Sequence, residues 1–171
     1  MLPTVHRTWA PKGRTPAYRH RMDSYRKVSG IGSISLSPRR RKPGLYLGLH
    51  AGKNITQKET LRFLSHLSRH IRRWIVLLWD RSPVHRGKEV QRFIKSHRRF
   101  ILEWLPAYAP DLNPVDYLWG YIKYHRMPNH GIADANKLRD RIRRETNQIN
   151  DTQKLLVSFI HATKLSIRLG H

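Results

Sequence analysis

The sequence predicts an α/β protein, a mixed sheet flanked by helices, and three observations predict it. Short alternating apolar stretches separated by turn signals fill the first third of the chain. Apolar positions at helical spacing then alternate with short apolar runs, the pattern of β-α-β-α units. One of those runs ends on a carboxylate, Asp80, where a parallel strand would leave the sheet and where functional groups of such sheets gather.

The elements follow in order. Residues 6–10 can form a short strand, closed by the turn signal of Pro11, Gly13 and Pro16. Residues 27–36 carry Val28, Ile31, Ile34 and Leu36 among glycine and serine, a second strand. The basic loop 37–44 breaks it, and Leu45, Leu47 and Leu49 then alternate with Tyr46 and Gly48 as a third. Together these read as an antiparallel meander. Thr56 and Glu59 have capping-box spacing ahead of Leu61, Leu64, Leu67 and Ile71, so a helix starts there. Residues 74–79 are an unbroken apolar run suited to a buried central strand. Residues 87–97 place Val90, Phe93 and Ile94 on one helical face, and 100–105 form another strand. Residues 114–125 form a helix with Val115, Leu118, Trp119 and Ile122 inward. Two further helices are expected from Asp134 and from Asp151, each opened by an N-cap aspartate; the last carries Leu155, Leu156, Phe159, Ile160 and Ile167. Trp9, Trp79 and Trp119 read as core residues.

The 171 residues suffice for one domain with a real core, so residues 1–171 are expected to form a single unit. Lys plus Arg number 34 against 11 Asp plus Glu, a net charge of +23 that points to a polyanion, with nucleic acid the default. The basic residues are spread along the chain and not gathered on one amphipathic helix, which disfavours a membrane surface. Arg39, Arg40, Arg41 and Lys42, with Arg72, Arg73, Arg98 and Arg99, form short basic clusters. Together with Arg81 and Lys123 they supply candidates for phosphate contact, although any one cluster alone also suits a solvated face. There is no cysteine, hence no disulfide framework or thiolate metal site. No membrane-spanning run or signal-peptide pattern is found, so the expected compartment is the cytoplasm, on the nucleoid if the source is prokaryotic. His66 and His70 stand four apart on a helix, but Arg62 and Arg69 beside them suit a basic solvated face better than a metal site.

Two carboxylates carry the chemistry. Asp80 follows the run from Trp74 to Trp79, where a charge is costly unless it leaves the strand, pairs or binds metal. Capping of the Arg81-Ser82-Pro83 turn explains it equally well. Asp116 is the third residue of a helix opened by Asn113 as N-cap and Pro114 at N1. Helping to cap that helix and complementing its dipole is the plainer role. The other role is that the rigid turn aims Asp116 at the strand end that bears Asp80. Two carboxylates at one point suit Mg²⁺ or Mn²⁺, which prefer oxygen ligands and support phosphodiester chemistry.

Leu77-Leu78-Trp79-Asp80-Arg81 with His85, then Leu105-Pro106, Tyr108, Pro110-Asp111-Leu112-Asn113-Pro114, Asp116 and Trp119, resembles the IS630/Tc1/mariner transposase superfamily. Trp9-Ala10-Pro11, Gly13 and Thr15-Pro16 resemble that family's early strand and turn, so the likeness spans nearly the whole chain. Thirty-five residues lie between Asp80 and Asp116, close to the family's interval. The resemblance implies an RNase H-like (retroviral-integrase-like) fold and a DDE/D triad, with Asp80 as second acid and Asp116 as third. The third acid is Glu in many IS630-type relatives and Asp in mariner-type ones. It also implies Mg²⁺- or Mn²⁺-dependent cleavage of transposon ends and strand transfer, double-stranded DNA as partner, and a possible homo-oligomer. His85, Asn113, Pro114 and Trp119 match motif positions that support the site. His85 equally fits an ordinary loop.

The first acid of the family stands just upstream of the segment matched by Leu2-Pro3-Thr4, which places it before Met1. Asp23 is the sole acid ahead of Glu59 and lies beyond the turn, in a basic context that suits the role poorly. The expectation is therefore a catalytic domain with an incomplete first strand, without the family's helix-turn-helix region, and impaired in cutting. A basic DNA-binding remnant that cannot cut is the alternative. A different RNase H-like nuclease would need a complete acid set, and a fragment that does not fold alone would melt without cooperativity.

Overall fold

A computed structural model describes residue 12 and residues 27–37, 42–127 and 134–165. Strands β1 (Val28–Leu36) and β2 (Pro43–Ala51) pair antiparallel, from Val28 opposite Ala51 to Leu36 opposite Pro43. Helix α1 spans Gln57–His70. Strands β3 (Ile75–Trp79) and β4 (Phe100–Trp104) pair parallel, Ile75 opposite Phe100 and Trp79 opposite Trp104, with helix α2 (Lys88–Ser96) as the crossover. Helices α3 (Pro114–Tyr121), α4 (Ala135–Asp151) and α5 (Gln153–His161) follow.

The period-2 pattern sorts the hairpin into two faces. Val28, Ile34, Leu45, Leu47 and Leu49 join the core that α3, α4 and α5 build from Leu118, Ile122, Ile142, Ile149, Leu156 and Phe159. Ile31 and Tyr46, on the opposite face, pack with Phe63 and Leu67 of α1. The Asn150 side-chain oxygen accepts the Leu45 amide at 3.0 Å and ties α4 to β2. Gly30 is needed for the close approach of α3, whereas the tight neighbour of Gly32 is the Leu47 side chain of β2. A Cβ at Gly30 would stand 2.8 Å from the Trp119 ring, and one at Gly32 would stand 3.4 Å from Val115. Bare backbone on β1 thus lets α3 lie close to the sheet.

The capping box forms as expected: the Thr56 hydroxyl accepts the Lys58 amide at 3.2 Å and the Glu59 carboxylate accepts the Thr56 amide at 3.1 Å. Asp134 caps α4 by accepting the Lys137 amide at 2.8 Å. Asp151 does not cap α5. It is the last residue of α4, Thr152 holds the cap position, and no side chain bonds there. The Thr152 hydroxyl donates backward to the Gln148 carbonyl, so α4 closes through the residue that also stands at the cap position of α5.

Two expectations for the sheet change. Among the described residues the strands form two two-stranded sheets, with hydrogen bonds only within each pair. The strand expected at residues 6–10, with Trp9, lies outside the described residues, as does Ile167. The run from Trp74 to Trp79 is buried on one face only. Ile75 joins Leu64, Val90, Ile94 and Phe100 in a core under α1 and α2. Val76 and Leu78 are 60% and 44% exposed because both helices pack on the other face. Arg99 is structural: its guanidinium donates to the Ile71 and Ser68 carbonyls at 2.8 and 3.0 Å, anchoring the end of α1. No helix among the described residues is long and apolar enough to cross a membrane.

Candidate active site

β3 delivers its last residue, Trp79, to a turn whose first residue is Asp80. One oxygen of that carboxylate, Oδ1, accepts the Ser82 amide at 2.9 Å and lies 2.8 Å from His85 Nδ1. The hydrogen bond from His85 is the main reason that Asp80 ionises below the usual carboxylate range, and the Ser82 amide adds to it. An ionised carboxylate has no proton to give, so His85 is the donor. His85 is buried, 8% exposed, and stacks on Trp79 with centroids 4.0 Å apart. The Ser82 carbonyl accepts the His85 amide at 3.0 Å, and the Gln91 side chain donates to the His85 carbonyl at 2.9 Å. The turn is therefore held at both ends, and Oδ2 is left free of these bonds.

The second carboxylate arrives from β4. Leu105 donates its amide to the Trp79 carbonyl at 2.8 Å, and Arg81 Nε donates to the Leu105 carbonyl at 3.2 Å, so the two strand ends are locked together. The chain then turns between Pro106 and Pro110, with Tyr108 fully exposed at a φ of 56°, a left-handed conformation unfavourable for a tyrosine. A 3₁₀ turn, Pro110–Leu112, leads to Asn113, whose side-chain oxygen caps α3 through the Val115 amide at 3.1 Å. Pro114 occupies N1 and Asp116 falls at N3, as the sequence requires. Asp116 ionises above the usual range. Partial desolvation of the carboxyl is the main cause, although the residue as a whole is exposed, and the negative charge of Asp80 adds to it; the Asn113 side chain opposes both. The Asp116 carboxyl, in the first turn of α3, therefore senses the charge of Asp80 at the end of β3.

The remaining candidates separate. Trp119 packs over Gly30 and seats α3 on the hairpin. Arg81 and Lys42 are exposed, and Lys123 Nζ lies 5.1 Å from the Tyr124 ring centroid. Arg39, Arg40, Arg41 and Asp23 lie outside the described residues. His66 and His70 are exposed with ring centroids 4.1 Å apart, and no group of three metal-ligating side chains occurs among the described residues.

Several contributors were not singled out from sequence. Trp79 supports His85 as well as filling the core. The helix after Asp116 continues as a π-helical turn, Ile122–Arg126. Arg126 pairs at 2.8 Å with the buried Glu145, which also holds Arg141 at 2.7 Å. Glu145 stands between Ile142 and Ile149 on the apolar stripe of α4, and an acid on such a stripe is the signal that could have revealed it.

Residues 3–139 match the sequence model of a family described as DDE superfamily endonuclease. The chain is 27% identical to the Tc1 transposase of Caenorhabditis elegans over 111 residues, 65% of this chain and 39% of that protein. It spans less than half the length of the curated relatives it matches. Its structure superimposes on the Mos1 mariner paired-end complex with Mn at a TM-score of 0.62 and 15% identity, covering 94% of this chain and 48% of that one. On the catalytic domain of Mos1 transposase the score is 0.52 at 18% identity, covering 78% and 74%. The fold is that of an RNase H-like transposase catalytic domain, and the chain belongs to the DDE superfamily endonuclease family, among relatives of Tc1/mariner type.

Proposed function

We propose that this chain serves as the catalytic part of a transposase, cutting DNA at element ends and joining it to target DNA, with Asp80 and Asp116 as its acids. The observation that carries the reading is that the charge of Asp80, at the exit of a parallel strand, reaches the carboxyl of Asp116 in the first turn of α3 and raises its proton affinity. A divalent cation would relieve that repulsion between the Asp80 charge and Asp116.

The donor set fits Mg²⁺ or Mn²⁺. Both ligands are hard oxygens, and such ions take one or two carboxylates and complete their shells with water and substrate phosphate. Mos1, a structural neighbour, was crystallised in a paired-end complex with Mn. Bound there, the cation would supply Lewis-acid activation of the nucleophile and neutralise charge at the phosphate.

The residues then have distinct tasks. His85 and the Ser82 amide fix Asp80 through Oδ1 and leave Oδ2 for the cation. Asn113 and Pro114 fix the first turn of α3 and so the position of Asp116. Arg81, locked to Leu105, and the exposed Lys42 face the polyanion as phosphate contacts. Water attacks the scissile phosphate and releases a 3′-hydroxyl, which attacks the target strand in the second step. No covalent protein–DNA intermediate is required.

The experiment is nicking of labelled duplex DNA in Mg²⁺ or Mn²⁺. Asp80→Ala and Asp116→Ala are each expected to lower the rate at least about a hundredfold, the scale of losing a metal-assisted step. Nicking that survives both substitutions would refute the assignment, and DNA binding without nicking would identify a binding domain.

A further inference from the structure

A cleft of about 490 Å³ takes Asp116 and Asp111 into one side of its lining, and the rest is largely aromatic: Tyr117, Tyr121, Tyr124, His125 and Phe159 surround Gly120. The volume lies within the ~300–1,000 Å³ range of small-ligand sites. Phe159, Tyr121 and His125 pack ring against ring, with 5.6 and 5.3 Å between successive centroids, so this wall is preformed.

Two features of the local fold border the cleft. Gly120 sits within α3, where glycine weakens a helix, yet a Cβ there would meet nothing within 4 Å. No packing demands a glycine at this position, and its missing side chain leaves the floor clear. The second feature is the π-helical turn Ile122–Arg126, which carries Tyr124 and His125 into the lining. Such turns are rare and concentrate at functional sites. This one is held at its end by the ion pair of Arg126 with buried Glu145. A weakened helix position and an irregular turn thus meet at one aromatic cleft beside a carboxylate of the site.

We propose that this cleft receives an unpaired nucleobase of the DNA bound at Asp80 and Asp116, an inference that rests on the functional reading above. A flat base stacks on aromatic rings whatever its identity, whereas a base inside a duplex has no free face to offer. Binding there would make the site prefer frayed or single-stranded ends.

The test uses the full chain without divalent cation and two duplexes, one blunt and one with an unpaired 2-aminopurine at its 3′ end. Anisotropy and 2-aminopurine fluorescence are followed together. The wild-type protein is expected to quench the probe and to bind the flapped duplex about five- to a hundredfold more tightly, the range for one base–aromatic stack. Gly120→Leu fills the floor and should abolish both quench and preference, and Tyr124→Ala should weaken both. The added leucine enters open space, so a cooperative melt is expected of that variant. Quench and preference that survive both substitutions would overturn the proposal, as would a wild type that binds both duplexes equally without quench. A wild type that binds neither duplex would overturn the functional reading with it. Quench and preference in a protein that never nicks would support the base site and remove only the cutting reading.

Discussion

Asp80 and Asp116 ionise in opposite senses, and the charge of Asp80 is one cause of the Asp116 shift. The signs have consequences for the metal-free protein. The lowered ionisation of Asp80 stabilises the fold above the unfolded-state range, and that contribution is lost as pH falls through its folded value. Asp116 acts the other way: it favours the fold while protonated, and that contribution is lost as pH rises through its raised folded value. Asp80→Asn removes the neighbouring charge, so the Asp116 carboxyl should titrate at lower pH in a carbon-detected NMR titration; an unchanged midpoint would mean that the two groups do not interact. Asp80, Asp116 and the Asn113-Pro114 cap were legible in the sequence because each sits at a marked place, a strand exit or a helix start. The bond from His85 to Asp80 was not, because it depends on the path of a turn whose residues also suit a plain loop. The strain at Tyr108 was hidden for the same reason, since residue type does not announce a positive φ.

Helix α3 positions one of the two carboxylates, and its seat on the hairpin depends on what β1 lacks. Trp119 rests on Gly30, with Val115 over Gly32. Gly30→Val would push the ring outward, and overpacking of this kind costs about 1–3 kcal/mol. The expected result in chemical denaturation is a lower midpoint at unchanged slope, together with weaker nicking through displacement of Asp116. Stability equal to wild type would show that α3 is held by other contacts. Most elements were readable from periodicity and caps: α1 and α3 begin where the Thr56 and Asn113 signals place them, and α2 falls within the periodic stretch 87–97. The exceptions have local causes. Asp151 resembles a cap, but α4 runs through it, and a π-helical turn leaves no mark because its residues suit an ordinary helix equally well. The half-exposed β3 was misread because a strand covered on one face and a strand covered on two can share an apolar sequence.

Across the whole molecule the net charge of +23 is the dominant field, and it opposes compaction until a polyanion neutralises it. Composition alone made that legible, but not which cations remain for DNA. Arg99 serves carbonyls of α1, and Arg126 and Arg141 serve Glu145, so part of the basic surplus is internal scaffolding. The family likeness spans most of the chain, and Asp80 stands where β3 leaves its parallel pairing with β4. The central claim is that Asp80 and Asp116 form one cation site. Its most direct test is a Mn²⁺ titration of the metal-free full chain, followed by loss of the free-ion EPR signal, in wild type, Asp80→Asn, Asp116→Asn and the double variant. A shared site predicts that each single substitution weakens binding at least about tenfold and that the double variant loses little more than either, a non-additive cycle. Losses that simply add, or a wild type that binds Mn²⁺ no better than the double variant, would contradict it.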